Sequence, residues 1–118
     1  MSVSPSFRTF ALEQLGRCVP AVRARSMFGG VGIYAGELFF ALIADDTLYL
    51  KADDQTRPEF ERRGLEPFRP YGESGEVMQY YRVGEDILED AEALRIWAGQ
   101  AVEVARRARR RPSARRRS

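Results

Sequence analysis

Over the first twenty residues the apolar positions Phe7, Phe10, Ala11, Leu15 and Cys18 recur three and four apart, with Arg8, Glu13, Gln14 and Arg17 largely between them. That period predicts an amphipathic helix with one face on a core. Ser4 is placed to cap its free backbone N–H groups, and Pro5 suits its first turn. Gly16 or Pro20 ends it. Cys18 lies on the apolar face and reads as filler rather than as a nucleophile.

The pattern then shortens. Ser26-Met27-Phe28 reads as extended, Gly29-Gly30 as a turn, and Val31 to Tyr34 as extended again. Ala35-Gly36 is a second tight turn. Glu37 to Ile43 is an apolar run, Asp45-Asp46 a third turn, and Thr47 to Lys51 (TLYLK) alternates as a strand does. Short strands joined by such turns predict a β-meander. The run from Glu37 to Ile43 is apolar on both faces, so it is expected at the centre of the sheet, covered on both sides.

A short helix is predicted over Asp54 to Arg63, with Pro58 near its start, Phe60 as its anchor and Gly64 as its stop. The stretch 66–76 (EPFRPYGESGE) reads as loop. Val77 to Val83 (VMQYYRV) is another strand, with Val77, Gln79, Tyr81 and Val83 on one face and Met78, Tyr80 and Arg82 on the other. Asp86 and Glu89 match an Asp variant of the capping box. Leu94, Trp97, Ala98, Ala101, Val102, Ala105 and Ala108 then form the stripe of one long helix, weakened at Gly99. The predicted fold class is α+β: an antiparallel meander packed with an N-terminal helix, a short middle helix and a long C-terminal helix.

Charge divides the chain. Residues 1–105 hold all 17 acidic residues and 11 basic ones, a net charge of −6. Residues 106–118 hold eight arginines and no acid. Two parts are expected: a domain over 1–105, and an arginine-rich tail over 106–118 that begins as the end of the long helix and is expected to be disordered beyond Pro112. Arg106, Arg107, Arg109, Arg110, Arg111, Arg115, Arg116 and Arg117 are the candidate nucleic-acid residues, since such a density of cations calls for phosphate or carboxylate counter-charge. The tail has no aromatic or long apolar anchor for a lipid surface.

Other chemistry is sparse. With no histidine and a single cysteine, the chain has no His-dependent triad, no thiolate zinc site and no internal disulfide. No metal and no cofactor is expected. No apolar run approaches the ~20 residues of a membrane span, and no secretory signal is seen, so a cytoplasmic location is expected. Gly29-Gly30-Val31-Gly32 matches neither G-x-G-x-x-G nor a P-loop, and it feeds a strand where a phosphate cradle feeds a helix. Turn geometry and close packing are its expected roles. The aromatics Tyr34, Phe39, Phe40, Tyr49, Tyr71, Tyr80 and Tyr81 suggest a base-stacking platform, but only Lys51 and Arg82 fall on the expected strands beside them. Core and dimer packing is the preferred reading.

The block at 25–54, RSMFGGVGIYAGELFFALIADDTLYLKADD, resembles the signature of TfoX N-terminal domains, and GLEPFRPY, VMQYYRV and LEDAEALRIWAGQAVEVA agree with it. The resemblance spans roughly residues 7–108. Its motif residues here are Met27, Phe28, Gly29, Gly30, Gly32, Lys51, Tyr80, Tyr81 and Trp97, expected to act mainly in folding. The resemblance implies a secretion-chaperone-like topology, often dimeric. It also implies a bacterial regulator of competence for DNA uptake, of a kind that works with the cyclic-AMP receptor protein and is not known as an enzyme. TfoX regulators carry a second, helical domain, and this sequence reads as a stand-alone N-terminal domain with an arginine tail instead.

The expected function is therefore a non-enzymatic regulatory or interaction domain. It is expected to form a homodimer, to meet DNA or RNA through the tail, and to have a transcription-regulator protein as a possible partner. The alternatives are a protein-binding or chaperone-like adaptor without a nucleic-acid role and, third, an enzyme with an acid–tyrosine or acid–arginine site assembled in space.

Overall fold

A computed structural model describes residues 3–27, 29–70 and 78–110. Helix α1 covers Pro5–Gly16, and its start is as the sequence suggests: Ser4 Oγ accepts from the Phe7 N–H at 3.2 Å. Ala11 and Leu15 are buried, whereas Phe10 faces largely outward. Strands β1 (Val22–Met27), β2 (Gly30–Ala35), β3 (Leu38–Ala44) and β4 (Thr47–Lys51) follow as an antiparallel meander. After α2 (Arg57–Arg62) come β5 (Pro67–Phe68), β6 (Met78–Arg82), the one-turn α3 (Glu85–Leu88) and the long α4 (Ala91–Arg110). The six strands stand in the order β1-β2-β3-β4-β6-β5, all neighbours antiparallel.

The turn chemistry explains the meander. Asp45 and Asp46 both hold positive φ, at 54° and 52°, closing β3 onto β4 in two residues with the twist that hairpins favour. Asp46 also accepts from the Ser4 N–H at 2.7 Å, tying the head of α1 to this hairpin. Gly29 takes φ 78° at the β1–β2 turn. Gly30 serves the sheet in another way: a Cβ there would lie 2.4 Å from the Ile43 carbonyl oxygen.

One face of the sheet carries the core. Ile33, Ala41, Ile43, Leu48, Leu50 and Tyr81 lie there with Ala11 and Leu15 of α1, Phe60 of α2 and Leu94, Trp97, Ala98 and Ala101 of α4. A bulge in β3 enlarges this core. Ile33 pairs with Ala41 but Tyr34 pairs with Phe39, so Phe40 is the extra residue, and it joins the core fully buried. The bulge is one reason that the segment reads as apolar on both faces. The other is Leu42, buried on the opposite side and outside that core.

Three expectations need correction. β1 starts at Val22, four residues before the expected Ser26. The segment expected as loop contains β5, which pairs with β6. The capping box at Asp86 does not form: α3 follows Gly84 with no side-chain cap, and the long helix is capped by Asp90, whose Oδ1 accepts from Glu92 and Ala93 N–H at 3.1 and 3.2 Å. On α4 the buried stripe includes Val104, two positions after the expected Val102, which is only partly buried. Among the described residues no helix is long and apolar enough to cross a membrane.

Candidate functional site

The tail arginines first meet the body's own acids. α4 runs on past Ala105 to Arg110, so the start of the tail is helix. Arg106 Nε donates to Glu103 Oε2 at 3.2 Å, Arg107 Nη2 to Asp53 Oδ2 at 2.7 Å, and Arg109 Nη2 to Glu37 Oε1 at 3.0 Å. Arg110 is the last described residue. Arg111, Arg115, Arg116 and Arg117 lie outside the described residues. The Glu37 pair is well exposed and contributes little, ~0–1 kcal/mol.

The Arg107–Asp53 pair is better built. Asp53 is oriented by its own turn, its Oδ1 accepting from the N–H groups of Gln55 and Thr56 at 3.0 and 3.2 Å. Arg107 Nε is buried without a hydrogen-bond partner among the described residues. The two side chains close one wall of a cleft of about 500 Å³, also lined by Lys51, Gln55, Gln79 and Val104. Burial by itself would raise the Asp53 carboxyl, but the hydrogen bonds from Arg107, Thr56 and Gln55 and the guanidinium charge outweigh it and hold it below the usual 3.8. A depressed carboxyl stabilises the fold above its unfolded value, and that contribution disappears as pH falls through the folded value. Asp53→Asn is therefore expected to lower the urea midpoint at about pH 7, with the gap to the parent closing below about pH 4. An equal gap in urea titrations at about pH 7 and about pH 3 would show that the pair adds no pH dependence.

The second face of the sheet has a different character. None of the helices contributes to it the core described above. The register places Arg23 and Arg25 of β1, Tyr34 of β2, Phe39 and Leu42 of β3, Tyr49 and Lys51 of β4 and Tyr80 and Arg82 of β6 on it. Tyr34 stacks on Phe39 at 5.0 Å between centroids, Phe39 meets Tyr80 at 5.4 Å, and Tyr49 meets Phe68 at 5.0 Å. Arg23 lies 5.6 Å over the Tyr34 ring, and Lys51 Nζ lies 4.9 Å over the Tyr80 ring and 3.4 Å from its hydroxyl. Burial, with a smaller contribution from Tyr34, pushes the Tyr80 hydroxyl far above the ordinary phenol range, so it stays protonated.

The motif residues divide between the two faces. Tyr81 and Trp97 sit in the core around Phe60. Lys51 and Tyr80 pair on the second face, where Met27 lies over Gly32. Phe28 and Tyr71 lie outside the described residues. Asp53 and Glu37 were not singled out as partners of the arginines, because nothing local marks a carboxylate that meets a cation more than fifty residues away. Arg23 and Arg25 were missed with the start of β1. Among the described residues no group of three or more Cys, Asp or Glu side chains is gathered as a metal site would need.

A family model described as the TfoX N-terminal domain matches residues 13–105. Residues of this chain are also 36% identical over 58 positions to a protein of Aliivibrio fischeri named DNA transformation protein TfoX1. That match takes in 49% of this chain and 26% of the Aliivibrio protein.

Proposed function

Since the chain belongs to the TfoX N-terminal domain family, we propose that it is a regulatory interaction domain, not an enzyme, that serves the control of DNA transformation and holds nucleic acid by its C-terminal arginines. The observation that carries this reading is the charge pattern: eight arginines in residues 106–118 with no acid among them, on a body of net charge −6. α4 presents the first of them on a helix packed on the sheet, where Arg107 pairs with Asp53 and Arg109 with Glu37. Contacts of this kind position a protein on a phosphate backbone without reading sequence. Choice of promoter then comes from a second protein, such as a transcription regulator, or from a homodimer.

The test is the binding of a fluorescent duplex of about 20 base pairs at roughly 50 and 200 mM salt, with the whole chain and with a variant carrying Arg111, Arg115, Arg116 and Arg117 as serine. The parent is expected to bind, with log affinity falling by ~0.9 per log unit of salt for each phosphate neutralised, and the variant to lose most of that slope. A parent that fails to bind at the lower salt would overturn the nucleic-acid reading. It would favour the second reading, a protein-binding adaptor, for which the neutralisation of Arg107 and Arg109 by the body itself already speaks.

A further inference from the structure

The six strands contain four cations, Arg23, Arg25, Lys51 and Arg82, and not one carboxylate. Strand alternation fixes where the four go. Arg23 and Arg25 flank Ala24, which packs on the core, and Lys51 and Arg82 neighbour the core residues Leu50 and Tyr81. All four therefore project from the face opposite the helices. The acids of a net-negative body are confined to helices, turns and loops; Asp45 and Glu66 reach Tyr49 from the rim, while the charges on the strands themselves are all positive. Among the described residues Arg23, Arg25 and Arg82 make no ion pair. Partly buried rings stand between the cations: Tyr34 and Phe39 toward β1, Tyr49 and Phe68 toward β5.

We propose that this face binds single-stranded nucleic acid, with bases stacked on Tyr34 and Tyr49 and phosphates held by Arg25 and Arg82. The site is separate from the arginine tail. Aromatic rings interleaved with cations on an open sheet are what an unpaired strand requires, because every base has a π-face and every linkage a charge. A duplex keeps its base faces closed to such rings. A second copy of this chain is the poorer occupant, since two of these faces would oppose cation to cation with no strand carboxylate between them. Phe40, Tyr80 and Tyr81 are buried as expected, and beside the remaining rings the register supplies four strand cations where the sequence showed two.

The experiment uses the full chain carrying the four tail substitutions, which halve the arginines of the tail, so that both arms of the comparison share the same reduced tail contribution. Binding of a fluorescent oligothymidylate of about twelve nucleotides is measured by anisotropy, alone and with Arg25→Ser and Arg82→Ser added. Both side chains are exposed, so the fold is expected to survive, and far-ultraviolet circular dichroism checks it. The double substitution is expected to weaken the oligonucleotide about tenfold, and Tyr34→Leu to do so by a similar factor, as loss of one stacked base implies. Photocrosslinking of an iodouracil-substituted strand to the parent chain is expected to label peptides holding Tyr34 or Tyr49. Affinity within twofold of the starting chain after the double substitution would overturn the proposal. So would crosslinks confined to residues 106–118. A starting chain that sediments as a dimer, becomes a monomer on the double substitution and binds no oligonucleotide would overturn it in favour of a homodimer interface. Loss of duplex binding on altering the tail leaves all these outcomes unchanged, so the two readings fail separately.

Discussion

Phe60→Ala is expected to reduce the unfolding free energy by about 3–5 kcal/mol, the range for truncating a buried aromatic ring. Phe60 is 3% exposed and is the only buried residue of α2. Its ring stacks on Tyr81 at 5.2 Å and meets Trp97 edge-on at 5.0 Å, so one side chain joins α2, β6 and α4. Arg63 covers the Trp97 ring from 5.0 Å. Alanine would leave a cavity against two rigid rings that collapse poorly into it. Domains of this size have about 5–15 kcal/mol to lose, so the variant is expected to be partly unfolded at physiological temperature. Urea titration followed by Trp97 fluorescence measures the change. A loss below about 1.5 kcal/mol would mean that α2 is peripheral to the fold; Phe60→Leu, which keeps much of the volume, is expected to stay near that smaller value.

Gly30→Ala is the second large effect, expected at about 2–3 kcal/mol. The added methyl would stand 2.4 Å from the Ile43 carbonyl oxygen, and that oxygen is backbone in the central strand of the sheet. Neither strand yields without disturbing the β2–β3 pairing. Gly32 offers the control. A Cβ there meets side chains and no backbone: the end of Met27, at 2.7 Å from Cε, and the edge of the Phe39 ring at 3.2 Å, and a flexible thioether is able to move. Gly32→Ala is therefore expected to cost less than half as much. The midpoints of urea unfolding should fall in the order parent, Gly32→Ala, Gly30→Ala at unchanged slope. The reverse order would show that the methionine packing, not the strand approach, constrains this turn.

Much of this architecture was legible because it is locally encoded. Ser4-Pro5 starts a helix by chemistry confined to one turn, and Gly64 ends α2 with φ 72°. Asp45-Asp46 shows as a turn because only a few residue types tolerate positive φ. What failed was decided by partners distant in sequence. β5 is two residues long and is a strand only because β6 lies beside it. Asp86 and Asp90 are both preceded by plausible entries to a helix, and the choice of Asp90 is made by Ile87 and Leu88 turning into the core before α4 begins. β1 was legible and overlooked: Val22, Arg23, Ala24 and Arg25 alternate with period two, but arginine at every second position looks like surface loop until one face is known to be solvent-facing. For the candidate site this mattered most, since the two arginines lost there change the count on the second face from two cations to four. The counter-charges Asp53 and Glu37 show the same limit in electrostatic form, because ion pairing across the fold leaves no local mark.

The meander also has a consequence for how the chain is made. β1 to β4 are joined by turns of a few residues, so their pairing closes small loops at little entropic cost and is expected to form early, as the chain leaves the ribosome. β4 receives its other neighbour only when Met78–Arg82 has been synthesised. In the interval its outer row of N–H and C=O groups stands open to any extended segment nearby. Thr47–Lys51 carries a single charge, Lys51, and during that interval the lysine is expected to guard the growing sheet against the wrong strand.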